Sequence, residues 1–102
     1  MIARVWTART TRELMPAYRA HLRAKVFPEL KGIAGWREVL LLSRETEGAV
    51  DVQVITLWDS VESIRAFAGD DLEAAVVSAA AAALFTEHDQ RTRHFEVERE
   101  GA

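Results

Sequence analysis

Few side chains in this 102-residue chain could do chemistry: three histidines, one tyrosine, three tryptophans and no cysteine. His21 lies on an apolar stripe of helical period, about one turn after Tyr18, so both side chains face inward. There an imidazole could take a proton from a bound molecule, and a phenol could donate a hydrogen bond to its oxygen. The competing reading is structural: a half-buried histidine bonded to backbone, and a core tyrosine with a wet hydroxyl. His94 stands in RHFEV near the end of the chain, opposite Phe95 on a strand, where pairing with a neighbouring carboxylate would suffice to explain it. His88 lies in the polar turn TEHDQ and is expected to be solvated. Trp6, Trp36 and Trp58 could wall an aromatic pocket that stacks a flat molecule, or could anchor a core or a dimer interface. Arg4 shares the Trp6 face of the first strand and could meet an anion.

Other chemistries are excluded by what is missing. Without cysteine there is no disulfide, thiolate nucleophile or thiolate metal site. The histidines are scattered, with no His-x-x-x-His pair and no carboxylate-rich loop, so no metal is expected. Asp59, Asp70 and Glu73 stand at helix-cap spacings and do not read as an acid/base pair. Thirteen Lys and Arg are interspersed with sixteen acids for a net charge of −3, which argues against a nucleic-acid partner. The longest weakly polar run, 74–85, is too short for a membrane span of about 20 residues. The N-terminus lacks a secretory pattern, and the expectation is one cytoplasmic domain over 1–102.

The elements that must position these groups follow from periodicity. A first strand is expected over 2–7, with Ile2, Arg4 and Trp6 on one face and Ala3 and Val5 on the other. Leu14, Tyr18, Leu22, Val26 and Leu30 then recur every four residues; Pro16 predicts a helix that starts late, near itself, and Pro28 and Gly32 mark its far end. Strands are expected over 35–44 and 50–58, joined by a polar turn. In LWDSVESIRAFAG a strand ends, Asp59 caps a helix over 60–68 with Glu62 answering it, and Gly69 stops it. An alanine-rich helix over 72–84, capped by Asp70 and Glu73, and a last strand over 93–98 complete the chain.

The order is β-α-β-β-α-α-β, an α+β ferredoxin-like plan with a four-stranded antiparallel sheet and helices on one face. Strands two and three are apolar on both sides: Leu40 and Leu42 oppose Val39 and Leu41, and Val52, Val54 and Trp58 oppose Ile55 and Leu57. The helices can cover only one face. The other is expected to meet a second copy, sheet against sheet, in a homodimer; the alternative is a monomer whose edges and tail cover it.

IARVW, AYRAHLRAKVFPEL, VITLWDSVESIRAFAGDDLEAAV and RHFEV together resemble the antibiotic biosynthesis monooxygenase family, a branch of the dimeric α+β barrel proteins. The resemblance implies a homodimeric barrel and, with no cofactor, oxygenation of an aromatic or quinone-type molecule that loses a proton and then itself reduces dioxygen. It implies an apolar cavity, a group that removes the proton and donors for the enolate oxygen. It makes His94 a family position. The catalytic candidates are His21, His94 and Trp58, and the substrate-binding candidates are Tyr18, Trp6, Trp36 and Phe67. The branch also contains barrels without a known reaction, so the alternative is a non-catalytic dimer that binds a hydrophobic small molecule as a stress or accessory protein.

Haem-degrading relatives use an asparagine in the first strand, a tryptophan in the short helix and a ligating histidine in the next. This chain has no asparagine, has Phe67 near the tryptophan position and has no histidine over 72–84, so that chemistry is set aside. The chain also departs from the monooxygenase branch after Val76, where VSAAAAALF replaces aromatics and a proline.

Overall fold

The computed structural model describes residues 1–101. Strand β1 (Ile2–Thr11) alternates strictly, burying Arg4, Trp6 and Thr10 on one side. Helix α1 (Met15–His21) begins with Pro16 in its first turn, where a missing N–H costs nothing. Pro28 does not end the helical segment as expected. One π-helical turn (Leu22–Val26), in which the Phe27 N–H reaches the Leu22 carbonyl, widens the backbone ahead of the ring, and α2 (Phe27–Lys31) continues to Gly32.

Strands β2 (Trp36–Thr46) and β3 (Ala49–Trp58) form a hairpin whose two turn residues, Glu47 and Gly48, both have positive φ. After β3 a short 3-10 turn (Glu62–Ile64) runs into α3 (Arg65–Ala68), which stops at Gly69 with φ 82°. Its cap differs from expectation. Ser60 and Ser63 each accept the other's backbone N–H, whereas Asp59 is drawn off by Arg37 at 2.5 Å and Glu62 pairs with Arg65, as does Asp70, the expected cap of the next helix.

The expected helix over 72–84 is not one. Only α4 (Ala79–Ala82) is helical, capped by the Ser78 hydroxyl on the Ala81 N–H. Residues ahead of it bond sideways: the Thr92 N–H reaches the Glu73 carbonyl at 2.7 Å, the Ala75 N–H reaches the Gln90 carbonyl at 3.0 Å, and Arg4 takes the carbonyls of Leu72 and Ala74. Tertiary partners have overridden alanine's preference.

The sheet is antiparallel and has five strands instead of four, in the order β2-β3-β1-β4, with β5 also on β1. The expected last strand is present over its first four residues, and a further short strand forms where TEHDQ was expected to be a solvated turn. β4 (Glu87–His88) faces Ala8 and Arg9, and β5 (Arg93–Glu96) faces Ile2 to Val5. Between them Asp89 turns its carboxylate onto the Thr7 hydroxyl while its carbonyl accepts the Trp6 indole N–H at 2.9 Å.

The core lies between the helices and one face of the sheet, in two clusters. One gathers Trp6, Met15, Tyr18, Leu22, Val50, Val52 and Val54; the other gathers Leu30, Trp58 and Ile64. On the opposite face Leu40, Ile55 and Val5 line up in register, and Leu40, Leu42 and Phe95 are 40%, 45% and 49% exposed. No helix among the described residues is long and apolar enough to cross a membrane.

Candidate functional site

Between α1, α2 and the sheet lies a cavity of about 160 Å³. Its position follows from side-chain size. The π-helical turn carries Leu22 and Val26 over β3, where Val54 and Thr56 are too short to fill the gap beneath them. Trp6 and Tyr18 form one wall, with ring centroids 6.5 Å apart, and Phe67 of α3 forms another. Val76, Val77 and Ser78, in the irregular stretch that replaces the start of the expected helix, close one side together with Ala81. Lys25 and Glu29, both exposed, stand at the rim.

Tyr18 is buried, and desolvation alone pushes its phenol up to about 12. It therefore stays protonated at neutral pH and keeps an O–H to donate. His21 lies on the same helix face, half-buried, with its ring stacked 6.3 Å from that of Tyr18. The imidazole hydrogen bonds among the described residues belong to His88 and His94; His21 has none.

The structure brings together five of the residues singled out from the sequence: Tyr18, His21, Trp6, Phe67 and Arg4 all line the cavity. It separates the other three from it. Trp58 has no solvent exposure; its indole N–H donates to Thr56 Oγ1 at 2.8 Å and its ring supports Phe67 at 6.1 Å, so it holds two wall residues without touching the cavity. Trp36 sits at the start of edge strand β2, packed edge-on against Phe27, with its indole nitrogen buried and unpartnered. His94 is on the helix-facing side of β5 but stands behind Arg4, with Nε2 3.3 Å from Nη1. Burial, Arg4's charge and, against them, Glu73 hold its imidazole below the ordinary value. A neutral His94 with Nε2 free to accept is what that contact requires. His88 lies 6.1 Å from Trp6, outside the cavity.

Arg4 matters more than its sequence position suggests. It is 3% exposed and lines the cavity, donating to the carbonyls of Leu72 and Ala74, with the Phe67 ring 5.8 Å away. Burial, partly offset by Glu73, lowers its guanidinium to about 10, still charged at neutral pH. Its alternation with Trp6 was the available signal; that its acceptors lie 68 and 70 residues away was not readable. Thr56, a polar group in an apolar run, was not singled out from the sequence.

Among the described residues no three histidine or acidic side chains converge as a metal site. No protein-family model matches the sequence, and no curated protein matches it.

Proposed function

We propose that the cavity binds a small phenol or hydroquinone and that the protein catalyses its oxygenation by dioxygen without a cofactor. The observation that carries this reading is one space with apolar and aromatic walls that also holds a phenol donor, Tyr18, and an imidazole, His21. His21 takes the ring hydroxyl's proton, and Tyr18 donates to another substrate oxygen. The electron-rich anion gives an electron to dioxygen, and the radical pair combines at a ring carbon as a hydroperoxide. Loss of water then leaves a quinone from a phenol or a hydroxyquinone from a hydroquinone, so one oxygen atom enters the ring and the other leaves as water. A cavity of about 150 Å³ accommodates one benzene ring, so 160 Å³ favours single-ring substrates over three-ring anthrones.

A homodimer in a ferredoxin-like barrel belongs to the same reading. Support comes from the sheet order, in which β1 lies between β3 and the two short strands β4 and β5, and from the apolar row Leu40–Ile55–Val5 on the face that no helix covers. A cytoplasmic site of action fits the lack of cysteine.

The missing hydrogen bond to His21 favours a second reading, a binding protein without turnover, because an enzyme's base is commonly oriented by a partner. Oxygen uptake with substituted hydroquinones separates the two. Turnover that falls about a hundredfold or more in His21→Ala supports catalysis by this residue. Tight binding with no uptake on any hydroquinone leaves only the binding protein.

A further inference from the structure

We infer that the cavity holds its ligand as an anion, a single-ring aromatic oxyanion such as a phenolate, and that Arg4 is the group that selects it. This rests on the cavity being the ligand site, and adds the charge of what it takes.

A guanidinium buried in an apolar wall normally has a carboxylate against it, since desolvating the charge is costly. Arg4 has none: among the described residues it forms no ion pair, and the nearby acid Glu73 acts on it only through space. Its contacts are the carbonyl oxygens of Leu72 and Ala74 and the imidazole of His94. All three are neutral, so they orient the guanidinium without cancelling its charge.

The donor inventory points the same way. A guanidinium carries five N–H groups. Nη1 serves Leu72 and His94, and Nη2 serves Ala74. The Nε hydrogen and the second Nη2 hydrogen have no partner among the described residues, and the unpartnered Nε is not fully buried. Arg4 lines the cavity, so an oxyanion there would find a charge and two spare donors.

Tyr18 shows what the same cavity does to a phenol that no cation touches: its ionisation is pushed up. Desolvation and the guanidinium thus act in opposite directions on a bound phenol, and the sign of the shift tells which governs. A phenol bound with its oxygen at Arg4 should ionise more easily than in water. One bound elsewhere in the cavity should ionise less easily.

The test uses 4-nitrophenol, whose phenolate absorbs at longer wavelength than the neutral form. Titrated with the full-length protein in excess, the bound probe should show an ionisation pKa lowered by about one unit or more, equivalent to about tenfold tighter binding of anion over neutral form. In Arg4→Gln, which can still donate to the carbonyls, the lowering should vanish while the neutral form stays bound. An unchanged or raised value in the native protein overturns the inference and leaves the cavity reading standing. Absence of binding overturns both. A lowering that survives in Arg4→Gln removes Arg4 from the role. If that variant does not fold, the sign in the native protein decides.

Discussion

Gly35 gives the sharpest prediction about what holds the cavity wall in place. Its φ is +90°, and a Cβ there would lie 2.5 Å from Ser63 Cβ. Gly35 also accepts the Asp59 N–H at 2.8 Å, tying the entry of β2 to the chain that leads into α3, and α3 carries Phe67 to the cavity. Gly35→Ala meets two costs. The positive φ costs about 1–2 kcal/mol for an L residue. The methyl group must also displace Ser63 by more than half an ångström, which breaks the reciprocal Ser60–Ser63 cap at a further cost of about 0.5–2 kcal/mol. Together these reach about 1.5–4 kcal/mol, a large share of the 5–15 kcal/mol typical of a domain. Gly48 provides the control. Its φ is +85° but nothing lies within 4 Å of an added Cβ, so Gly48→Ala should cost only the backbone part. In urea, with a slope of about 1–3 kcal/mol/M, Gly35→Ala should lower the midpoint by about 1–2 M and Gly48→Ala by well under that. Equal midpoints for the two variants would refute the claim that Ser63 packs on the bare Cα.

Three further outcomes follow from the geometry. His94 is held below its ordinary value of 6.5, so the unfolded chain binds more protons just under that pH; His94's share of stability is complete above 6.5 and is lost as pH falls through its folded value. The lowered carboxylates Asp51, Glu62 and Asp71 act only near and below their ordinary 3.8 to 4.5, so thermal melts between pH 6.5 and 5 should show a slope that His94→Gln reduces. Sedimentation at micromolar concentration should give the native protein twice its 11.4 kDa chain mass, and Leu40→Asp, a change at an exposed position, the single chain mass with an unaltered fold; a native protein at 11.4 kDa would end the dimer proposal. Tyr18→Phe should change stability by less than about 1 kcal/mol, since no hydrogen bond holds the hydroxyl, yet weaken phenol binding about tenfold; equal affinity measured by calorimetry would remove Tyr18 as a donor.

Much of the fold was legible because it is written in short-range periodicity. Val50, Val52, Val54 and Trp58 share one face of β3 in the sequence and in the structure, and Ile55 lies on the other. Pro16 announced a helix that starts at Met15, since its ring has only one comfortable place in a helix. Tyr18 and His21 came together because residues three apart on a helix share a face. What failed depended on partners remote in sequence. Asp59 has the spacing of a cap, but Arg37 across the hairpin end competes for it, and two serines take over. Trp58 begins the most informative block of the sequence and proves to be a buried support, because period-two alternation gives a side but not a depth. Pro28 looked like a stop, and one π-helical turn absorbed it.

The alanine-rich stretch is the most instructive miss, because its failure to become a helix makes the cavity wall possible. A helix through residues 72–84 would spend the carbonyls of Leu72 and Ala74 on its own N–H groups four residues on. Arg4, held on the helix-facing side of β1 by strand alternation, would then lie buried beside a wall offering no acceptors. Removing those two acceptors from a guanidinium already lowered to about 10 by burial costs more than the few tenths of a kcal/mol per residue by which alanine favours a helix. The chain instead stays non-helical through Val76 and Val77, β-branched residues with a weak helix preference, and turns helical only after Ser78, whose hydroxyl supplies the cap. This non-helical stretch brings Val76, Val77 and Ser78 to the cavity, with Ala81 of α4 beside them. The position that decides the conformation of residues 72–77 is thus near the other end of the chain, where no local propensity could reveal it.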